Sequence, residues 1–398
     1  MSLTGLPSDI LVQVINTISP DDIVAFSSIN RRFYSLSTKR LAEHKALQEQ
    51  YNKPYALGER LLPIIRDNEL LVRVHAAGFC HSDLQALHGE FTKPAPIGLI
   101  PSHEIAGTIA SVGPDYHGHL QVGDRVGVLN FKNSCGSCVG CNLSKRTGNN
   151  LDPRFYDARE TAGFLHDGGF ADYVAADPET TVKLPDSVSF AQAAPLMCAG
   201  ATVWGSLEQA TVGVAPGEFV AIIGIGGLGH LGLQYAKALG YRTIAVDTRE
   251  AGRKLTENMK NEDLKPDLVV DPADQEAASK TIYELTRGEG VAAAIVCTAS
   301  IEANRWALSL LRIRGTLGLL GLPQTPWQFD AAPIVFRELS IKGSYVCGRE
   351  AAERMMKVVE KHGVISHLTI IPFERIPEIV KIYENSSFQG RIVVKMSD

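Results

Sequence analysis

The chain reads as an α/β protein: a small helical segment, then a β-rich domain, then a doubly wound parallel sheet. Three observations predict this. Residues 3 to about 43 carry apolar positions at helical spacing. From Lys45 to about 190, short apolar runs alternate with many glycines and few long helical stripes, which suggests a β-rich, partly open barrel. From about 200 to 340, buried-strand runs alternate with helical stripes, as a doubly wound sheet requires. The predicted segments are 1–44, 45–197, 198–335 and a tail, 336–398.

In the first segment Ile10, Leu11, Val14, Ile15 and Ile18 form one apolar stripe. Ser19-Pro20-Asp21-Asp22 starts a second helix, with a capping hydroxyl, proline in the first turn and two acids at the positive dipole end. Ile23, Phe26 and Ile29 continue it, and Phe33 and Leu36 mark a third. Ala46–Tyr51 could open a sheet, Glu69–Val74 is a clearer strand, and Gly123–Val128 reads as a turn and strand. Val220–Ile223 is a buried strand, followed by Gly224-Ile225-Gly226-Gly227-Leu228-Gly229 and a helix through Leu233, Ala236 and Leu239. The next strand, Thr243–Val246, ends on Asp247. Apolar runs at 268–270, 292–297 and 316–320 supply further parallel strands; the tail holds a helix around Ala352–Val359 and a last strand, Arg391–Val394.

Composition narrows the class. A length of 398 residues implies two or three domains, and 45% hydrophobic with 21% charged residues is ordinary for a soluble globular chain. A net charge of −5 gives no reason to expect nucleic acid or an anionic membrane as partner. No run approaches the roughly 18 apolar residues of a membrane span, and Met1–Gly5 does not open a secretory signal. Seven cysteines, five of them in metal-like contexts, fit a reducing compartment, so the expected location is the cytosol.

Two constellations carry chemistry. The glycine loop lies between a buried strand and a helix, with an acid 18 residues past its last glycine. That context marks a dinucleotide fingerprint: Gly224 for the turn, Gly226 for approach of the pyrophosphate, and Gly229 for helix–strand packing. Asp247 would bond the adenosine ribose hydroxyls and repel a 2′-phosphate, favouring NAD over NADP, although Arg249 stands close by. The second constellation is Cys80-His81-Ser82-Asp83, a thiol, imidazole, hydroxyl and carboxylate in four positions. With His103 and Cys198 it offers two thiolates and one imidazole, the ligand set of a catalytic zinc with one open position.

These motifs resemble the zinc-dependent medium-chain alcohol dehydrogenases, the yeast-type tetrameric enzymes most. The resemblance runs from about Lys45 to the C-terminus, through Gly78-Phe79-Cys80-His81-Ser82-Asp83, His103-Glu104, Cys135-x-x-Cys138-x-x-Cys141, Cys198–Val203 and Gly343-Ser344-Tyr345. It implies a GroES-like catalytic domain that the tail beyond about 335 rejoins after a Rossmann NAD-binding domain. It implies catalytic zinc on Cys80, His103 and Cys198, with Glu104 as an occasional ligand. Asp83 would orient His103, Ser82 would take the alcohol's proton, and His81 and Arg391 would face the cofactor pyrophosphate. The loop positions Gly227 and Leu228 would contact the cofactor with Gly224, Gly226 and Gly229. The substrate would be a small-molecule alcohol or its aldehyde or ketone, and the assembly a homotetramer.

Three departures from that pattern matter. The proton relay of the family ends in a histidine where this chain has Gln85, which leaves water or His88 as its end and predicts a muted pH dependence. The structural zinc triplet Cys135, Cys138 and Cys141 has Asn149 in place of a fourth cysteine, a poor ligand beside thiolates. Asp152 or water could complete that site, or the lobe could be metal-free. Tryptophans that narrow the pocket of ethanol-type enzymes align with Leu87 and Asn130, so a bulkier alcohol is expected.

The first segment, from Leu6-Pro7-Ser8-Asp9 through Asn30-Arg31-Arg32-Phe33-Tyr34, resembles an F-box, which implies docking on a Skp1-type adaptor through residues 3–43. A packed helical extension, or a neighbouring reading frame fused on, are the other readings. The functional alternative is therefore a ubiquitin-ligase substrate receptor that uses the dehydrogenase fold for recognition. A zinc-free reductase of the same superfamily would not be expected to keep Cys80, His103 and Cys198 together.

Overall fold

The computed structural model describes residues 44–47 (backbone only), 53–91, 93, 95–146, 153–156, 158–385, 388 and 390–396. The expectations for residues 1–43, Asn149 and Asp152 lie outside these. Two units emerge: one through Met197 plus Ile370–Phe388 and Ile392–Asp398, the other Cys198–Thr369 with Gln389–Arg391.

The first unit is built on antiparallel strands. β1 (His44–Leu47) pairs with β2 (Ala56–Glu59). β3 (Leu70–Phe79) leads into α1 (His81–His88), and β4 (Glu104–Val112), β5 (Arg125–Val128) and the short β6 (Phe131–Lys132) follow. After α2 (Val139–Arg146) come β7 (Glu160–Thr161), β8 (Tyr173–Ala176), β9 (Thr181–Lys183) and α3 (Phe190–Pro195). β3 is buried along nearly its whole length, because β4 covers one edge and β8 and the last strand share the other. Leu70, Val72, Val74, Ala77, Phe79, Ile105, Ile109 and Val126 fill the core between them, which reflects the alternation of side chains along a strand.

The second unit starts in a π turn, Leu196–Gly200, followed by α4 (Ala201–Ala210). Then strands and helices alternate: β10 (Phe219–Ile223), α5 (Gly229–Ala238), β11 (Arg242–Val246), α6 (Glu250–Glu257), β12 (Leu268–Val270), α7 (Gln275–Leu285), β13 (Val291–Val296), α8 (Ile301–Leu310), β14 (Leu311–Leu319), α9 (Ala331–Phe336), β15 (Ser340–Gly343) and α10 (Arg349–His362). The sheet is parallel, in the order β12-β11-β10-β13-β14-β15. This is a doubly wound order whose direction reverses between β10 and β13, the topological switch point at which sheets of this kind bind their ligands. β10 and β13 read as unbroken apolar runs because helices cover both faces of a parallel sheet.

The chain then returns as β16 (Leu368–Pro372), α11 (Ile379–Glu384) and β17 (Arg391–Lys395), with Ile392 opposite Phe79 of β3. The return to the first unit thus begins at Ile370 and not at 336. The physical reason is that β15 is the sixth parallel strand, hydrogen-bonded to β14, and α10 packs on α4 and α5. Among the described residues no helix is long and apolar enough to cross a membrane.

Candidate active site

Cys80 follows β3 directly and serves as the N-cap of α1. Asp83, in the first turn, takes the Cys80 N–H on Oδ2 at 2.8 Å, which satisfies an orphan donor at the helix start. Its other oxygen, Oδ1, accepts from His103 Nδ1–H at 2.9 Å, with both side chains almost wholly buried. One carboxylate therefore caps the helix and holds a proton on His103 Nδ1, so that Nε2 is the nitrogen that would give up its proton to a cation. Burial acts to lower the His103 pKa, but the charge and hydrogen bond of Asp83, then Cys80, outweigh it and hold the pKa well above the ordinary value. The same surplus of electron-rich donors suits a divalent cation.

Two neighbours place His103, and neither was singled out from the sequence. Ser102 has a left-handed backbone (φ 77°) and donates its hydroxyl to the Gly78 carbonyl at 2.8 Å. A non-glycine residue in that region is uncommon enough to mark a constrained position. Phe164 lies against the imidazole at 4.7 Å between ring centroids. Periodicity carries no signal for either, since both act across the fold.

Glu104 is fully buried and lies opposite Gly78 in the β3–β4 register. A Cβ at Gly78 would stand 2.0 Å from Glu104 Oε2, so glycine is what admits the carboxylate. Cys198 sits in the π turn that continues from α3. Because α3 packs on β3 and β4, this local continuity brings Cys198 to the ends of those strands. The ligand atoms of Cys80, His103, Glu104 and Cys198 all lie within 4.8 Å of one another. Edges of a tetrahedral zinc with sulfur and nitrogen ligands are about 3.5–3.8 Å, so the donor set fits that metal.

Around this cluster, His81 is exposed at the start of α1, its ring 6.1 Å from that of Tyr383. Ser82 is half-buried beside it. Gln85 donates to Glu90 at 3.3 Å, and His88 Nδ1 lies 3.6 Å from the same carboxylate. Leu87 is packed into the core of the first unit, whereas Asn130 is buried with its side-chain oxygen lacking a hydrogen bond.

A second cluster gathers Cys135, Cys138 and Cys141, with Cys141 Sγ 3.7 Å from Cys135 Sγ and 3.4 Å from Cys138 Sγ. Backbone N–H groups of Ser137 and Cys138 push the Cys135 thiol down to about 6, while burial raises Cys141. A low thiol pKa favours the thiolate that binds metal.

In the second unit, Gly224 turns with φ 91°, and a Cβ at Gly229 would stand 2.0 Å from the Gly224 carbonyl oxygen. Gly226, Gly227 and Leu228 complete the turn into α5. Asp247, at the end of β11, accepts from Ile225 N–H at 2.7 Å and Arg249 N–H at 2.8 Å. It also accepts from the Arg249 guanidinium at 2.9 and 3.2 Å, which uses the lone pairs of both oxygens. The Arg391 side chain lies over Gly227 and is 5% exposed.

Comparison with known proteins agrees with this geometry. The family described as Alcohol dehydrogenase GroES-like domain matches residues 66–186, Zinc-binding dehydrogenase matches 227–361, and F-box domain matches 3–42. An alcohol dehydrogenase of Geobacillus stearothermophilus is 36% identical over 351 residues, 88% of this chain and 99% of that one. The solved alcohol dehydrogenase of Aeropyrum pernix superposes with a TM-score of 0.76 at 28% identity, covering 89% of this chain and 100% of the other. Acetophenone reductase from Geotrichum candidum, solved in complex with NAD, gives 0.72 at 26%, covering 88% and 97%. With a GroES-like domain, a doubly wound nucleotide-type sheet and these relatives along nearly nine-tenths of its length, the chain belongs to the zinc-type medium-chain alcohol dehydrogenases.

Proposed function

We propose that the protein is an NAD-dependent alcohol dehydrogenase in which Cys80, His103 and Cys198 hold the catalytic zinc and Glu104 joins them as an occasional ligand. The observation that carries this is the convergence of those four ligand atoms beside a His103 already oriented by Asp83. A bound zinc supplies the Lewis acidity that lowers an alcohol's pKa, and a bound nicotinamide accepts the hydride. The chain's own residues bind, orient and carry the proton. Ser82 takes the proton from the substrate hydroxyl. Gln85 cannot pass it on by titrating near neutral pH, so it leaves to water or to His88. The loop Gly224–Gly229 offers backbone N–H groups to the pyrophosphate, and His81 and Arg391 add positive charge.

Asp247 favours NAD by accepting the ribose hydroxyls, for which the Arg249 guanidinium must move aside. The preference for a substrate bulkier than ethanol is supported by Asn130 more than by Leu87, whose side chain belongs to the core. The aryl ketone named for the Geotrichum relative is consistent with such a substrate. A second, structural zinc on Cys135, Cys138 and Cys141 needs one further donor; the thiol spacings support it. By resemblance the assembly is a homotetramer in the cytosol.

A second reading is favoured by the F-box match at 3–42. In it residues 3–43 dock a Skp1-type adaptor and the dehydrogenase fold serves as a recognition surface of a ubiquitin ligase. Zinc content and NAD reduction, measured on one purified sample across short and bulky alcohols, separate the two. Zinc with turnover is expected, highest for the bulky alcohols, and two zincs per chain would establish the second site. Protein with neither zinc nor turnover, copurifying with an adaptor, would overturn the dehydrogenase reading.

A further inference from the structure

Resting on the reading of the glycine loop as a pyrophosphate cradle, we infer that His230 is the positioning residue that holds Arg391 over that loop and thereby sets affinity for the dinucleotide. His230 follows Gly229 in α5 and is fully buried. Its Nδ1–H reaches back one turn to the Gly226 carbonyl at 2.7 Å. That bond fixes the tautomer and leaves Nε2 as an acceptor. Nε2 faces the Ser366 hydroxyl at 3.1 Å and the His367 N–H at 3.3 Å. The His367 carbonyl then accepts the Arg391 N–H at 2.8 Å. A continuous path of hydrogen bonds therefore joins the centre of the glycine loop to the backbone of Arg391.

The side chain of Arg391 completes the loop from above. A Cβ at Gly227 would stand 2.8 Å from Arg391 Cδ and 2.9 Å from Nη1, so the guanidinium rests on the loop itself. Gln234, one turn further along α5, holds the same segment by accepting from Ile365 N–H and donating to the Ile365 carbonyl. That second tie preserves the fold of the segment when His230 is changed, while His230 alone reaches Gly226. Its ring sits 5.7 Å from that of His367, and burial keeps it neutral, with its pKa pushed down to about 3. The tie is therefore the same at every working pH.

A double-mutant cycle tests this, with KM for NAD and kcat at saturating alcohol measured in the wild type, His230→Leu, Arg391→Ala and the double variant. His230→Leu is expected to raise KM for NAD about tenfold, the worth of one mispositioned charged contact, with kcat changed less than about threefold. In the Arg391→Ala background the same change should add less than about twofold, because the group it positions is gone. Equal effects in both backgrounds would reduce His230 to packing and overturn the inference. Arg391→Ala with an unchanged KM would instead overturn the pyrophosphate reading beneath it. Should His230→Leu fail to fold, Ser366→Ala removes one donor to Nε2 without touching α5. Its expected rise in KM is about two- to threefold, again absent without Arg391.

Discussion

Asp83→Asn is the most informative single change, because one carboxylate links the helix cap, His103 and the proposed zinc site. Asparagine keeps an oxygen for the Cys80 N–H, the cap that Asp83 Oδ2 provides at 2.8 Å. Toward His103 it presents an NH₂ group, where the 2.9 Å bond needs an acceptor. Either the amide and Nδ1–H oppose each other, or His103 moves its proton to Nε2 and loses the lone pair a metal requires. The side chains are 2% and 0% exposed, so solvent does not relieve the conflict. A charged hydrogen bond of this kind contributes about 1.5–3 kcal/mol, or about 10- to 150-fold in a binding constant. Changes to the partner of a ligating histidine fall in the same range, about 10–100-fold in metal affinity. Zinc affinity measured by chelator competition should therefore fall at least about tenfold, and turnover should return with excess zinc. A melting temperature close to that of the wild type under saturating zinc would show the cap intact. Asp83→Asn with zinc affinity within about twofold of wild type would refute the idea that this bond sets the ligand.

Three further outcomes follow from the same geometry. Gln85→His should give the pH–rate profile a group titrating near neutrality; an unchanged profile would mean that the relay does not run through this position. Arg249→Ala should cut kcat/KM with NADP by about tenfold or more, the cost of one charged contact, and alter NAD efficiency far less. Equal losses would show that Arg249 acts only through Asp247. Finally, His230 has a folded pKa of about 3, lowered first by burial and further by His367 and Arg391, against about 6.5 unfolded. The unfolded chain thus binds the additional proton. This stability is complete above about pH 6.5 and drains at up to about 1.4 kcal/mol per pH unit as pH falls toward 3. Urea midpoints between pH 7 and 4 should show a shallower decline in His230→Leu, and parallel declines would contradict the assignment.

The strand–glycine turn–helix unit was legible because its signal is local: a buried strand, a glycine turn and a helix lie in one stretch, and Asp247 follows the next strand. The cluster of Cys80, His103, Glu104 and Cys198 could be suspected because thiols and imidazoles are rare enough for their coincidence to count, and their donor atoms lie within 4.8 Å of one another. What the sequence hid depends on distant contacts. Ser102 reads as an ordinary serine until its carbonyl partner on Gly78 is seen. His230 reads as one more helical residue until the 365–367 segment folds against it. The late return of the chain, at Ile370, was invisible because an apolar run announces a strand but not the sheet it joins. β15 could have paired in either unit on composition alone, and its parallel register with β14 decided the matter.

At the proposed zinc site, fold and chemistry are the same contacts. Gly78 has no side chain so that the Glu104 carboxylate can lie across it, and its carbonyl receives the Ser102 hydroxyl that sets up His103. Two residues on, Cys80 caps the helix that follows the strand, and its N–H is held by Asp83, which also holds His103. Gly78→Ala would set a Cβ 2.0 Å from Glu104 Oε2 and 2.9 Å from its Cβ, so the Glu104 side chain must shift, an overpacking that costs about 1–3 kcal/mol. Because Glu104 opens β4, that displacement would reach His103, the residue before it, through the strand backbone. A substitution with no donor atom of its own should therefore weaken zinc binding as well as stability. Loss of stability with unaltered zinc affinity would mean that strand packing and ligand placement are independent after all.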